Sequence, residues 1–198
     1  VTRSRRGGHL AVVLAIGVVL AGCGDGDRED EHLPPDLVDQ SQTTSVDADD
    51  VASDRARQRV YQWVSGRNTI LAQPDHYTTE ASIGFAEGTE ATAILADAAE
   101  LTVDKQTRQG ETKLVGDPTA TKIDLDPAPI KGTAIPPFVK VRACIDESGT
   151  HLVNASGTKV KGSEGKGPRP VSFHVLNRSW PNTDTWRIAW QEDIKGSC

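Results

Sequence analysis

Val139-Lys140-Val141-Arg142-Ala143-Cys144-Ile145-Asp146 alternates apolar with more polar side chains from end to end. Successive side chains of an extended chain point to opposite faces, so this spacing predicts a strand with one buried and one wetter face. Two later stretches repeat the pattern. Val171, Phe173 and Val175 alternate with Ser172, His174 and Leu176, and Trp186, Ile188 and Trp190 alternate with Arg187, Ala189 and Gln191. Pro181 to Asp184 joins those two as a hairpin, and Glu147-Ser148-Gly149 turns the first strand into another over His151 to Ala155. Glu111 to Val115 and Ala120 to Leu125 are expected to add shorter strands.

Before Gly110 the period is helical. Val51, Ala52, Ala56, Val60, Trp63, Val64, Ile70 and Leu71 recur at helical spacing and leave Arg55, Arg59 and Arg67 outside, which predicts a helix over 49–73. Asp49 or Asp50 caps its start and Pro74 ends it. A second helix is predicted over 89–109, with Ala91, Ile94, Leu95, Ala98 and Leu101 or Thr102 on one face, Gly110 in the left-handed C-terminal conformation, and Lys105 and Arg108 complementing the dipole. Tyr77 to Ala86 makes a short helix or turn between them. Helices first and an antiparallel sheet second is α+β order, and residues 51–198 suit one domain with its own core.

Charge sets that domain apart from the segment before it. Gly24 to Asp50 holds ten acids against Arg28, a net of −9, whereas residues 51–198 carry 18 acids and 18 Lys plus Arg, a net of zero. With Pro34-Pro35 and few apolar residues, the acidic segment 23–50 has too little surface to bury and is expected to be a disordered tether. A neutral domain with interspersed signs offers no footprint for nucleic acid.

The first residues have the parts of an export signal: Arg3, Arg5 and Arg6, then the eleven apolar residues Leu10 to Leu20. At about 1.5 Å of rise per residue these span roughly 16 Å, short of the bilayer core of about 30 Å. Leu20-Ala21-Gly22-Cys23 comes directly after, and this pattern of Leu, two small residues and Cys resembles bacterial lipoprotein signal peptides. The resemblance implies that segment 1–22 is removed, that the Cys23 sulfur carries a diacylglyceryl group, and that the chain is anchored in the cell membrane on its extracytoplasmic face. One acyl chain holds a protein marginally and two hold it stably.

With Cys23 claimed by lipid, Cys144 and Cys198 remain. Outside the cytoplasm a disulfide between them is the economical reading, against two separate thiols.

The order of elements, with VRACIDESGTHLVNASG, a Gly-rich loop, RPVSFHVLNRSW and TWRIAW, resembles actinobacterial secreted proteins and lipoproteins with a nuclear-transport-factor-2-like fold. That resemblance implies a cone-like domain, with the N-terminal helices packed on a curved antiparallel sheet around a tapered cavity. Related isomerases and dehydratases use a cavity Asp with His or Tyr, because proton abstraction needs a base of raised pKa in an apolar pocket. By residue type the candidates are Asp146, His174, His151, Asp75 and Tyr61. Asp146 precedes a turn, where an acid caps backbone amides, and His174 falls opposite the Val171/Phe173/Val175 row, so no catalytic residue is assigned.

His76, His151 and His174 lack metal spacing, and no cofactor is implied. Gly162 to Gly167 lacks the glycine and the Ser or Thr of a phosphate-binding loop and is expected to be a flexible hairpin loop. Trp186 and Trp190 share a face with Ile188 and are expected in the core, and Trp180 beside Pro181 is a candidate partner anchor. Two function classes emerge: a non-enzymatic lipoprotein that binds an envelope protein partner or a small apolar ligand, or an enzyme with a cavity Asp or His.

Overall fold

The computed structural model describes residues 47–80 and 83–198. The expected signal segment, Cys23 and the expected tether as far as residue 46 lie outside the described residues; the last four residues of that expected tether, 47–50, are not disordered but cap and begin the first helix.

Helix α1 runs Ala48–Ala72, so Ala48, Asp49 and Asp50 belong to the helix. The cap is Asp47, not Asp49 or Asp50: its carboxylate accepts the Asp49 amide at 2.9 Å. Asp49 and Asp50 occupy the first turn, where negative charge complements the helix dipole. Ala52, Ala56, Val60, Trp63, Ile70 and Leu71 form the buried stripe, and a single 3-10 turn, Pro74–His76, comes next.

Helix α2 is shorter than its sequence predicts. It spans Gly88–Val103, and Gln106–Gln109 leaves the helix to become strand β1. Gly110 is left-handed as expected, at φ 80°, but lies beyond β1; the left-handed residue that follows α2 is Lys105, at φ 54°. The strand is favoured because its backbone finds partners along His151–Asn154, with Gln106 opposite Asn154 and Gln109 opposite His151. Helix propensity near the end of a helix is worth little beside such pairing.

The remaining strands are β2 Lys113–Leu114, β3 Thr119–Asp124, β4 Phe138–Asp146, β5 His151–Asn154, β6 Arg169–Asn177 and β7 Trp186–Asp193. β4 lies at the centre of an antiparallel five-stranded sheet, pairing with β2 and β3 on one side and β6 on the other, and β7 pairs with β6. Val139, Val141, Ala143, Ile145, Val171, Phe173, Val175, Trp186 and Ile188 form one buried cluster with the apolar stripes of both helices. Trp63 of α1 meets Phe173 of β6 edge-on, 5.1 Å between ring centroids. The architecture is α+β, two helices on an antiparallel sheet with no closed barrel, as a cone-like fold requires.

Two strand expectations change. β5 does not return along β4; after the turn at Glu147 it pairs with β1 in a separate two-stranded sheet. Trp190 does not join the core row. His174 pairs with Trp190 and Val175 with Ile188, so Ala189 is an extra residue, a bulge that reverses the facing of the residues after it. Trp186 is fully buried, while Trp190 is 38% exposed and stacks on His174, 4.1 Å between centroids. Trp180 is half-buried and packs edge-on against Trp186 at 5.8 Å, at the edge of the core.

Cys144 and Cys198 form a disulfide with Cα atoms 5.7 Å apart. With the Arg142 guanidinium donating to the Ser197 carbonyl at 3.0 Å, it holds the segment after β7 against β4.

Candidate functional site

Glu147, the first residue after β4, is where four parts of the fold converge. Its backbone sets the turn. The Glu147 carbonyl accepts the Thr150 amide and hydroxyl, each at 2.8 Å, and its own amide donates to the Lys166 carbonyl at 2.9 Å. Gly165 donates to the Thr150 carbonyl at 3.0 Å, and the Leu152 amide donates to the Ser163 hydroxyl at 2.9 Å. The Gly-rich loop expected to be flexible is thus tied to the turn. Gly165 is required by close approach: a Cβ there would collide with the Glu147 carbonyl and the Thr150 hydroxyl.

The Glu147 carboxylate gathers three arginines from three elements. Oε1 accepts from Arg67 Nη1 of α1 at 2.8 Å and Arg108 Nη2 of β1 at 3.1 Å, and Oε2 from Arg169 Nη2 of β6 at 3.5 Å. Arg67 also pairs with Asp97 of α2 at 3.2 Å, and Arg169 with Asp193 of β7. Burial alone would raise the Glu147 carboxyl; Arg67 and Arg108, then Arg169, overcome it and hold the group below the usual carboxylate range. Arg108, with a side chain only 8% exposed, is pushed down from the usual arginine value by burial and by the like charge of Arg67.

Above this cluster opens a groove of about 510 Å³. Arg108 and Glu147 form its floor, Leu71, Leu101 and Leu152 its apolar lining, and the 163–166 loop its far wall. Six carboxylates and four cations line it, so it is a polar groove with apolar strips.

A second buried acid lies inside the core. Glu90, in the first turn of α2, is 4% exposed, and Oε1 accepts from the Trp63 indole at 2.6 Å and from Gln191 Nε2 at 3.4 Å. Burial raises its carboxyl, opposed by the Trp63 hydrogen bond and the charge of Arg67.

The five candidates named by residue type are not brought together. Asp146 accepts the Ser148 amide at 2.9 Å, the turn-capping role, and that backbone bond lowers its carboxyl. His174 lies on the outer sheet face beneath Trp190, its Nε2 3.0 Å from Glu192 Oε1; burial lowers the imidazole and the Glu192 bond opposes that. Tyr61 is exposed and donates to Asp117 at 2.7 Å. Asp75 is exposed beside His76, and His151 is half-buried in β5. Among the described residues, no group of three or more His, Cys, Asp or Glu is arranged to hold a metal ion, and no helix is long and apolar enough to cross a membrane.

Sequence reasoning missed Arg67, Arg108, Arg169, Glu147 and Glu90. Arg67 read as an outward helix position and Glu147 as a turn residue, and their meeting depends on contacts 80 residues apart. Glu90 carried a local signal: an acid beside the apolar row Ala91, Ile94 and Ala98.

No family model matches the chain. No curated protein matches it either. Sixteen solved chains match it in structure. One is the intermembrane-space region of the chloroplast protein ARC6, which aligns over 73% of this chain and 97% of that chain at a TM-score of 0.48 and 12% identity. That similarity carries no argument about function.

Proposed function

We propose that the chain is an extracytoplasmic lipoprotein, anchored by acyl groups on Cys23, whose domain, resembling the nuclear-transport-factor-2-like proteins, binds an envelope partner or ligand without chemistry of its own. The observation that carries the binding reading is the groove over Glu147: an open, polar cleft whose floor is fixed by ion pairs from α1, β1 and β6. Rigid, desolvated polar groups at the base of a cleft are what recognition uses. The tapered interior that an isomerase would need is occupied by Trp63, Phe173 and Trp186, all fully buried. Glu90, the acid nearest to a cavity base in kind, is enclosed by Trp63 and Gln191. The charged lining favours a polar occupant over a small apolar ligand.

Two experiments test the two halves. Growth with a labelled fatty acid is expected to mark the wild type and not Cys23→Ala; equal labelling ends the anchor reading. A photo-crosslinking residue at Gln106, on the groove, is expected to capture a recurrent adduct in intact cells, and a crosslinker at Ile130, which is exposed and does not line the groove, is not. Equal yields from both positions end the groove reading.

A further inference from the structure

Of the three arginines on Glu147, Arg108 is the one that places a single guanidinium nitrogen on its partners. A guanidinium has five N–H donors. Arg67 spends its terminal nitrogens on Glu147 and Asp97, and Arg169 on Glu147 and Asp193. Arg108 places only Nη2, on Thr112 Oγ1 at 2.6 Å and Glu147 Oε1 at 3.1 Å. Its Nε and Nη1 have no partner among the described residues, and neither is sealed in packed protein. The residue is nevertheless nine-tenths buried, and it lines the groove. Asp97 and Asp193 answer Arg67 and Arg169 from exposed positions, so at the buried floor itself three guanidinium groups face one carboxylate, and an anion there would be welcome.

The rim adds a second condition. Lys166 lies on the loop wall and makes no ion pair among the described residues, so it reinforces the anion-accepting end. Glu100 and Asp104, on the α2 side, are likewise unpaired carboxylates lining the same groove. A polyanion is repelled by the carboxylate majority, and a simple cation is repelled by the floor. Gln106 and Arg108 share a face of β1, about 7 Å apart along the strand, and Asp104 precedes Gln106 by two residues. The groove therefore carries unpaired charges of both signs, Lys166 on the loop and Glu100 and Asp104 on the α2 side, with Leu71, Leu101 and Leu152 as apolar lining.

We propose that the groove binds a small zwitterionic solute of amino-acid or short-peptide type, its carboxylate on Arg108 and Lys166 and its ammonium toward Glu100 and Asp104. The volume of about 510 Å³ suits such a ligand, since small-molecule sites run from about 300 to 1,000 Å³. The proposal rests on the reading of this groove as the binding surface.

Titration calorimetry of the domain with trialanine tests it, beside N-acetyl-trialanine and trialanine amide. Saturable one-to-one binding of the free tripeptide is expected, weakened at least about tenfold by either cap. Lys166→Gln is expected to erase the preference for the free carboxylate, and Glu100→Gln with Asp104→Asn the preference for the free amine. These side chains are exposed, so folding is preserved; Arg108→Gln, checked by its melting curve, is expected to abolish binding. Absence of saturable binding, or equal binding of capped and free peptides, overturns the proposal. If peptide binding fails while crosslinking from Gln106 still captures one partner, only the zwitterion falls; if both fail, the groove reading falls with it.

Discussion

Trp63 donates its indole N–H to the carboxylate of Glu90 across the α1–α2 interface at 2.6 Å, inside the fully packed core. A carboxyl whose folded pKa is raised gives stability that is complete below its unfolded pKa and is lost as pH rises through the folded value. Unfolding measured against pH is therefore expected to show Glu90→Gln close to wild type at about pH 4 and more stable than wild type at about pH 8. Equal pH slopes for the two proteins would show that Glu90 folds without penalty.

Glu147 has the opposite sign. Its folded pKa is depressed, so its contribution is present above the unfolded carboxylate value and is lost as pH falls through the folded one. Glu147→Gln is expected to destabilise the domain at neutral pH by about 3–5 kcal/mol, because it leaves Arg67, Arg108 and Arg169 without their shared carboxylate. Denaturant midpoints at about pH 7 and about pH 3 check this, the gap narrowing at the lower pH.

Gly165→Ala is expected to shift the 163–166 loop and cost about 1–3 kcal/mol, because the added methyl meets the Glu147 carbonyl, which has no freedom to move. Gly167→Ala is the control, since a Cβ there meets nothing within 4 Å. Thermal unfolding of the two variants should separate them.

Cys144→Ser and Cys198→Ser are each expected to lower stability by about 4 kcal/mol in the chain-entropy account, for a bridge spanning 54 residues. Thiol titration of the unfolded, unreduced domain reads the bond directly: two free thiols in a chain lacking Cys23 would refute it.

The parts of the fold legible in the sequence are those governed by local period. The strand over 138–146, the strands β6 and β7 beyond it, and the buried stripe of α1 come from spacing alone. Where one residue changes the phase, spacing fails: Ala189 inserts into β7, and Trp190, in register with Trp186 by count, ends on the opposite face. The boundary of α2 failed for another reason. Gln106–Gln109 has no strand pattern of its own and becomes a strand because β5 lies beside it. The groove was least legible of all, since Arg67, Arg108, Glu147 and Arg169 each look like ordinary solvated charges until the turn after β4 draws them to one point.

Because β5 leaves the main sheet to pair with β1, the domain has a seam: a small ribbon on one side, five strands on the other, and Glu147 at the crossing. Opening along that line would part Arg108 from Arg169 and lift Leu152 off the edge of the core, leaving Phe173 and its sheet neighbours paired. The amides of 106–109 and 151–154 would then exchange with solvent as a block, ahead of those in β4 and β6, and an occupant of the groove would act as a clasp across the two edges.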